Sequence, residues 1–196
     1  MPTNFHLIMG VLAGAISFVA FVPYCVSIVR GKTHTARISW IIWTIAGIIL
    51  GTSYLFSGAI ETLGVAISYI LGPMIVAILA FRYGFGGYNK FEIGCFAGSL
   101  LSLPIWWYFR SSEAALAINL FVDFLAVSVM CAKTFKSPHD EHFPFWILMV
   151  IASVFNLFAV REWTIPVASY AVYMLIGNSA ILCCVCRKFL PKFSHT

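Results

Sequence analysis

The sequence predicts an all-α, polytopic membrane protein with seven transmembrane helices, in which two parallel three-helix repeats are joined by a linker helix. The first observation is composition: 61% of the 196 residues are hydrophobic and 10% are charged, whereas soluble domains carry about 25% charged residues. The second is a series of seven apolar segments of membrane-spanning length. The third is a weak internal similarity between the two halves of the chain.

The apolar segments follow one another with only short polar turns between them, and each is long enough to cross a hydrocarbon core of about 30 Å. Spans one to seven run, in order, over Leu7–Val29, Ile38–Phe56, Thr62–Phe81, Phe91–Phe109, Glu113–Ala132, Phe143–Val160 and Ile165–Cys186. No basic segment precedes span one and no clear cleavage site follows it, so it is predicted to stay in the protein. The spans use nearly the whole chain, which predicts that the protein acts within the membrane or at its faces.

The distribution of basic residues predicts the orientation of the spans, because Lys and Arg are enriched in cytoplasmic turns. Arg110 and Arg161 fall on one side of the predicted membrane. The other side holds Arg30, Lys32, Arg37, Arg82, Lys90, Lys133, Lys136, Arg187, Lys188 and Lys192. This asymmetry predicts an amino terminus outside and a carboxyl terminus in the cytoplasm. It also accounts for the net charge of +5, so no nucleic-acid partner is expected.

The internal similarity appears when the chain is laid on itself. Phe124 stands 103 positions after Phe21, and Trp146 stands the same distance after Trp43. Small membrane transporters are often built from such repeats. The predicted units are a first three-helix repeat over residues 1–84, a linker helix over 85–110, and a second three-helix repeat with the tail over 111–196.

Asp123 is the residue that a passive hydrophobic bundle explains least. It lies about halfway along span five, with Asn119 one turn before it on the same helical face. A carboxyl group at that depth is costly unless it is paired, hydrated or protonated. The other neutral polar residues expected around it are Asn156, Asn178, Ser179, and Ser68 or Tyr69. Either Asp123 lines a water-accessible cavity that binds a solute or carries a proton, or it is a protonated hydrogen-bonding member of the helix packing; the pattern favours the first.

Two prolines lie inside predicted spans. Pro23 is in span one and Pro73 is in span three. A proline inside a helix removes one backbone hydrogen bond and bends the helix. Both are structural kinks in the simplest interpretation, and we predict that they are conformational hinges.

Gly94 and Gly98 form a small-residue pair in span four. Such a pair lets another helix approach closely, since packing rather than water exclusion drives helix association in lipid. An intramolecular contact is the simpler interpretation. A homo-oligomer interface through these two glycines is the alternative.

The turn between spans five and six contains the run His139-Asp140-Glu141-His142. Its spacing differs from the helical His-Glu-x-x-His pattern of zinc sites. A solvated loop is the favoured interpretation. The six tryptophans lie near helix ends, where anchoring at the membrane interface is their usual role.

The segment from Phe21 to Trp43 carries a family resemblance. It contains Pro23-Tyr24, Arg30-Gly31-Lys32-Thr33 and Arg37-Ile38-Ser39-Trp40. With the predicted topology, this segment resembles the PQ-loop and SWEET-like (MtN3-type) superfamily, and within it small bacterial membrane proteins. The resemblance implies a place in the bacterial inner membrane and the transport of small solutes by alternating access between the repeats, although one branch of the superfamily acts as a sorting receptor.

The chain also departs from the sugar carriers of that superfamily. Asn178 matches their asparagine on helix seven, but Pro73 stands where the partner on helix three is expected. Pro23-Tyr24 and Ala126-Val127 stand where the family has its Pro-Gln pairs. These differences argue against sugar transport and leave a cavity for another small solute between the repeats.

The sequence therefore predicts a secondary transporter or facilitator of a small polar solute, with proton coupling through Asp123. A non-transporting receptor or accessory protein that binds a ligand or a partner helix is the alternative. No nucleophile–base pair or metal-ligand set occurs at one depth, so we expect neither an enzyme nor a cofactor or metal. The expected partners are the solute and the lipid bilayer.

Overall fold

The computed structural model describes residues 3–56, 63–83, 89–109, 112–161 and 163–190. Within these ranges the regular structure is entirely helical, with no strand. The α-helices are α1 (Thr3–Val29), α2 (Arg37–Phe56), α3 (Leu63–Tyr83), α4 (Lys90–Phe109), α5 (Ser112–Lys136), α6 (Phe143–Ala159) and α7 (Ile165–Cys186). Short 3₁₀ helices cover Pro138–Asp140 and Arg187–Phe189. The predicted all-α class is confirmed.

A helix occupies each predicted span, and the bounds differ by a few residues at most. The largest differences are at the start of α1, which begins at Thr3, and at the end of α5, which continues to Lys136. Hydropathy ends span five before the first lysine. The helix continues because Lys133 and Lys136 lie in its last turn, where positive charge interacts favourably with the helix dipole.

Three helical segments are long and apolar enough to cross a membrane. They are Phe5–Val29, Leu116–Lys136 and Ala168–Phe189. Shorter apolar helical segments cover Arg37–Ile49, Ile70–Tyr83 and Phe143–Ala159. Because soluble proteins rarely contain helices of this length and hydropathy, the chain is a membrane protein.

We call α1–α3 the first triplet and α5–α7 the second triplet, and the contacts among these helices follow a regular pattern. α3 packs against both α1 and α2, and α7 packs against both α5 and α6. Between the triplets, α1 packs along α6 and α2 packs along α5. α4 packs against α5 and α2.

The end of α1 is set by Gly31, whose φ of 67° lies in the left-handed region that glycine adopts without strain. The amide of Gly31 donates to the carbonyl of Ile28, and the amide of Lys32 donates to the carbonyl of Ser27, both at 2.9 Å. These two bonds form a Schellman motif. The motif turns the chain sharply into residues 33–36, whose threonines enter the site described below.

The core is richest in aromatic side chains near the turns after α1 and α5. Trp40 and Trp146 are 2% and 1% exposed, so the predicted anchoring at the membrane interface is wrong for both. Trp107 and Trp163 are exposed, at 54% and 63%. The hydropathy of helix ends does not distinguish the two pairs, because burial depends on what packs across from each indole.

The two glycines of α4 face different surroundings. A Cβ atom on Gly98 would lie 3.2 Å from Leu125 Cδ1 of α5, whereas one on Gly94 would meet nothing within 4 Å. Gly98 therefore supports a close contact inside the chain. The homo-oligomer through Gly94 and Gly98 stays a prediction.

Candidate functional site

Asp123 and Asn119 lie on the face of α5 that points into the bundle. Their side chains are 8% and 3% exposed, while Phe121 and Phe124 on the other face are 51% and 55% exposed. The helical repeat of 3.6 residues explains this, since positions four apart share a face. The structure therefore places the two predicted residues together in the interior.

Two residues from other helices flank the Asp123 carboxyl group, namely Trp43 of α2 and Tyr173 of α7. The Tyr173 hydroxyl faces the carboxyl group without the geometry of a hydrogen bond. Among the described residues, Tyr173 Oη and Asn119 Oδ1 are both buried without a hydrogen-bond partner. A buried polar atom left unpaired costs about 1–3 kcal/mol, so these two atoms mark a place where water or a polar solute would complete the bonding.

Asn178 makes a different contact from the one predicted. Its Nδ2 donates to Ser153 Oγ of α6 at 2.8 Å, and both side chains are buried. Ser153 Oγ in turn donates to the carbonyl of Met149 at 2.8 Å. The sequence analysis did not predict Ser153. Its position three residues before Asn156 in span six could have indicated it, because residues three apart share a helical face.

The remaining predicted solute-binding residues are only partly described. Asn156 lies on α6 and is half-buried. Ser68 and Tyr69 belong to α3, and their side chains lie outside the described residues. The structure thus brings Asp123 and Asn119 together with Trp43 and Tyr173, and it pairs Asn178 with Ser153 rather than with Asp123.

The predicted hinges Pro23 and Pro73 lie within helices that continue past them. Pro23 is exposed and immediately precedes the fully buried Tyr24. Pro73 follows Gly72, where an added Cβ would lie 3.0 Å from the ring of Phe21. The α1–α3 contact is therefore tight beside both prolines. Their hinge role stays a prediction.

A second polar site lies where the turns after α1 and α5 meet. We call it the Glu141 cluster and define it as Tyr24, Thr35, Trp40, Lys133, Glu141 and Trp146. The favoured interpretation of a solvated loop is wrong for Glu141, which is 3% exposed. Its carboxylate points into the bundle, where Lys133 Nζ lies 3.0 Å from Oε1 and Trp146 Nε1 donates to Oε2 at 3.3 Å.

The Glu141 cluster contains a continuous chain of hydrogen bonds. Tyr24 Oη lies 2.7 Å from Thr35 Oγ1 and 3.1 Å from Glu141 Oε2. A phenol has one hydrogen and a carboxylate only accepts, so Tyr24 donates to Glu141. The Thr35 hydroxyl then donates to Tyr24 and accepts from Trp40 Nε1, which lies 2.6 Å away.

This order leaves no member of the chain from Trp40 to Glu141 without a partner. Each donor points toward the carboxylate, and hydrogen bonds arranged in one direction strengthen one another. The sequence offered one signal for this site, a lysine in the last turn of a helix followed by an acid after a short turn. It did not show that the acid would be buried.

His142, beside this cluster, is the N-cap residue of α6. Its Nδ1 accepts from the amide of Phe145 at 3.2 Å, which caps the helix. Burial lowers the pKa of His142, although the neighbouring Glu141 opposes this. The neutral ring with its hydrogen on Nε2 fits the cap, since only an unprotonated Nδ1 can accept. The cap positions Phe145, whose ring stacks on Tyr24 with centroids 4.1 Å apart.

A shallow apolar groove of about 410 Å³ lies between α4 and α5, on the side of α5 away from Asp123. It is lined by Gly98, Leu101, Ser102, Ile105, Ala117, Ile118 and Phe121. Its lining suits hydrocarbon rather than a polar solute.

Within the described ranges, no group of three or more His, Cys, Asp or Glu residues is arranged to hold a metal ion. Comparison of the chain with protein-family models, curated proteins and solved structures gives no match. The resemblance to the PQ-loop and SWEET-like superfamily therefore stays a prediction, and the geometry of the two polar sites is the basis for a functional proposal.

Proposed function

We propose that the protein is a secondary transporter or facilitator that moves a small polar solute by alternating access. The observation that carries this proposal is the surroundings of Asp123. A buried carboxyl group lies next to two buried polar atoms without partners, Asn119 Oδ1 and Tyr173 Oη. Ionisable groups inside membrane bundles are rare and usually belong to solute or proton pathways.

The helix contacts support a mechanism in which the two helix triplets are equivalent units that move relative to each other. α3 relates to α1 and α2 as α7 relates to α5 and α6. If α1 is exchanged with α5 and α2 with α6, the α1–α6 contact becomes the α5–α2 contact, so the contacts between the triplets follow the same symmetry. This is the pattern expected for a duplicated three-helix unit with α4 as the linker. In this proposal all seven helices cross the bacterial inner membrane, with the amino terminus outside. The proposal also makes the chain a member of the PQ-loop and SWEET-like superfamily.

Asp123 and Asn119 supply acceptors for the solute in this proposal, and Tyr173 supplies a hydroxyl donor. Trp43 covers the carboxyl group from α2. Asn178 and Asn156 line the neighbouring face of the second unit, and Asp123 is the group that carries the coupled proton. A hydrogen-bonding site of this kind discriminates strongly between solutes, since the wrong solute leaves buried polar atoms unpaired.

A receptor or accessory protein that does not transport is the second candidate. The observation that favours it is the outward face of α4, where a Cβ added to Gly94 would have no neighbour within 4 Å and large apolar side chains such as Ile93 and Leu101 are exposed. A partner helix would pack closely against this face. Association in detergent that rises with concentration, without solute flux, would favour this candidate.

The test is thermal unfolding of the purified protein against a panel of sugars, amino acids, amines, nucleosides and vitamins at two pH values. A solute at 100 times its dissociation constant stabilises the folded protein by about 2.7 kcal/mol. We expect a stabilising solute whose effect is lost in Asp123→Asn. Asp140→Asn is the matched control, because it makes the same chemical change in the turn before α6.

The stabilising solute is then used in a flux assay with proteoliposomes. We expect uptake by the wild-type protein and by Asp140→Asn, and none by Asp123→Asn. Uptake that is unchanged in Asp123→Asn would refute the role of Asp123. Binding without flux in the wild-type protein would refute transport and support the receptor.

A further inference from the structure

We propose that the Glu141 cluster is a latch that closes the solute pathway at the end of the bundle holding the turns after α1 and α5, and that the described structure has this latch shut. The inference rests on the proposed function and names the gate of that pathway. Its basis is the position of the cluster between the helix triplets, the aromatic layer beside it, and the bonds that cross between the triplets.

The cluster straddles the two triplets. The first triplet supplies Tyr24 from α1, Trp40 from α2 and Thr35 from the turn between them. The second triplet supplies Lys133, Glu141 and Trp146. The side-chain bond that joins them runs from Tyr24 Oη to Glu141 Oε2 at 3.1 Å, between residues 117 positions apart. A backbone bond from the amide of His34 to the carbonyl of Asp140, at 2.9 Å, lies beside it.

An aromatic layer separates this latch from Asp123. The ring of Phe145 is stacked on Tyr24 and also contacts the ring of Phe21, with centroids 5.4 Å apart. Trp43, which flanks Asp123, lies 4.8 Å from Trp40 between ring centroids. A solute at Asp123 therefore meets a packed layer of rings before it reaches the turns, and the rings of Tyr24 and Phe145 must part for it to pass.

Tyr24 and Glu141 can separate because each keeps hydrogen-bond partners within its own triplet. When Tyr24 leaves Glu141, the carboxylate keeps Lys133 and Trp146, both of its own triplet. Tyr24 keeps Thr35, which is also of its own triplet. Separation of the triplets at this end thus breaks one charge-assisted side-chain hydrogen bond and the backbone bond from His34 to Asp140, and it leaves no buried charge unpaired. An unpaired buried charge would oppose opening strongly.

The backbone next to the latch also favours movement. Pro23 immediately precedes Tyr24, and it removes the hydrogen bond that would hold this turn of α1 to the turn before it. Helices bend most readily at such positions. The last turns of α1 can therefore carry Tyr24 away from Glu141 while the outer part of the helix stays packed along α6.

The test uses Tyr24→Phe, which removes the hydroxyl group and keeps the stacked ring. The substitution Ala126→Cys places a reporter thiol at a buried position, one turn from Asp123 toward the latch. The six native cysteines are replaced by serine or alanine. A membrane-impermeant thiol reagent is applied to the face that carries the turns, without solute. The matched control is Tyr83→Phe, at an exposed tyrosine of α3.

We expect Tyr24→Phe to raise the labelling rate of the reporter on the order of tenfold, the factor that corresponds to the loss of one hydrogen bond to a charged group. Tyr83→Phe leaves the rate unchanged. Equal rates in the two variants would overturn the latch. No solute is present in this assay, so the labelling result tests the latch separately from transport. The flux assay tests the proposed function, and a wild-type protein that moves no solute would refute that function whatever the labelling result.

A distance measurement gives a second, independent test. Spin labels on Lys32→Cys and His139→Cys, both exposed and one on each turn, report the separation of the two triplets. We expect one short distance in the wild-type background and an added longer population in Tyr24→Phe. A single unchanged distance in the variant would overturn the latch, whatever the labelling rate.

Discussion

Lys133 Nζ lies 3.0 Å from Glu141 Oε1, and the Glu141 side chain has no exposed surface. Lys133→Met removes the cation and keeps most of the apolar stem. We expect it to lower the free energy of unfolding by about 3–5 kcal/mol, since it leaves a buried carboxylate without its counter-charge. The measurement is unfolding in detergent. The control is Lys136→Met, because Lys136 is exposed and lies in the same helical turn.

The double variant Lys133→Met with Glu141→Gln tests the cause of that loss. Removing both charges costs less than removing one, because no uncompensated charge remains. We expect the double variant to recover part of the stability lost by Lys133→Met. If the double variant instead lost as much stability as the two single variants together, the loss in Lys133→Met would come from packing of the lysine stem and not from the ion pair.

Gly72 and Phe21 provide a test of the contact between α3 and α1. A Cβ at Gly72 would lie 3.0 Å from two carbons of the Phe21 ring, and that ring is itself packed against Trp40 and Phe145. Replacing glycine by alanine inside a helix gains about 1 kcal/mol from helix propensity. Overpacking costs about 1–3 kcal/mol, so we expect Gly72→Ala to unfold at a lower temperature than the wild-type protein.

Gly94→Ala is the matched control for this prediction. It makes the same change inside α4, where a Cβ meets nothing within 4 Å. We expect Gly94→Ala to be as stable as the wild-type protein or more so. Equal gains in the two variants would mean that the Phe21 ring moves aside freely.

The cap of α6 makes stability depend on pH. Burial lowers the pKa of His142 in the folded state below the ordinary value of about 6.5. The unfolded chain therefore binds more protons between these two pKa values, and stability rises with pH there. The contribution of neutral His142 is complete above about pH 6.5 and is lost as the pH falls toward the lowered pKa.

His142→Asn isolates this effect, because asparagine accepts at the N-cap without titrating. We expect the unfolding temperature of the wild-type protein to fall more steeply than that of the variant as the pH is lowered from neutrality through the ordinary histidine pKa of about 6.5. Parallel curves for the two proteins would show that another histidine or a carboxyl group controls the dependence.

Much of the fold could be predicted, because the spans are local features of hydropathy. The pairing of Asn119 with Asp123 could also be predicted, since four-residue spacing alone puts both on one helical face. The burial of Glu141 could not, because it depends on Tyr24, 117 positions away. In the sequence Glu141 belongs to a short polar turn, and only the packing of the first triplet against the second covers it.

The bond between Asn178 and Ser153 supports a final prediction. Ser153→Ala leaves the buried Nδ2 of Asn178 without an acceptor, and an unpaired buried donor costs about 1–3 kcal/mol. Ser102→Ala is the control: Ser102 is also buried, and its hydroxyl donates to the carbonyl of Ser99 on its own helix at 2.6 Å. Both substitutions remove a helical serine hydroxyl, but of these two serines only Ser153 accepts a bond from another helix in the described structure. We therefore expect Ser153→Ala to lose more stability than Ser102→Ala in thermal unfolding, and equal losses would show that the α6–α7 bond contributes nothing.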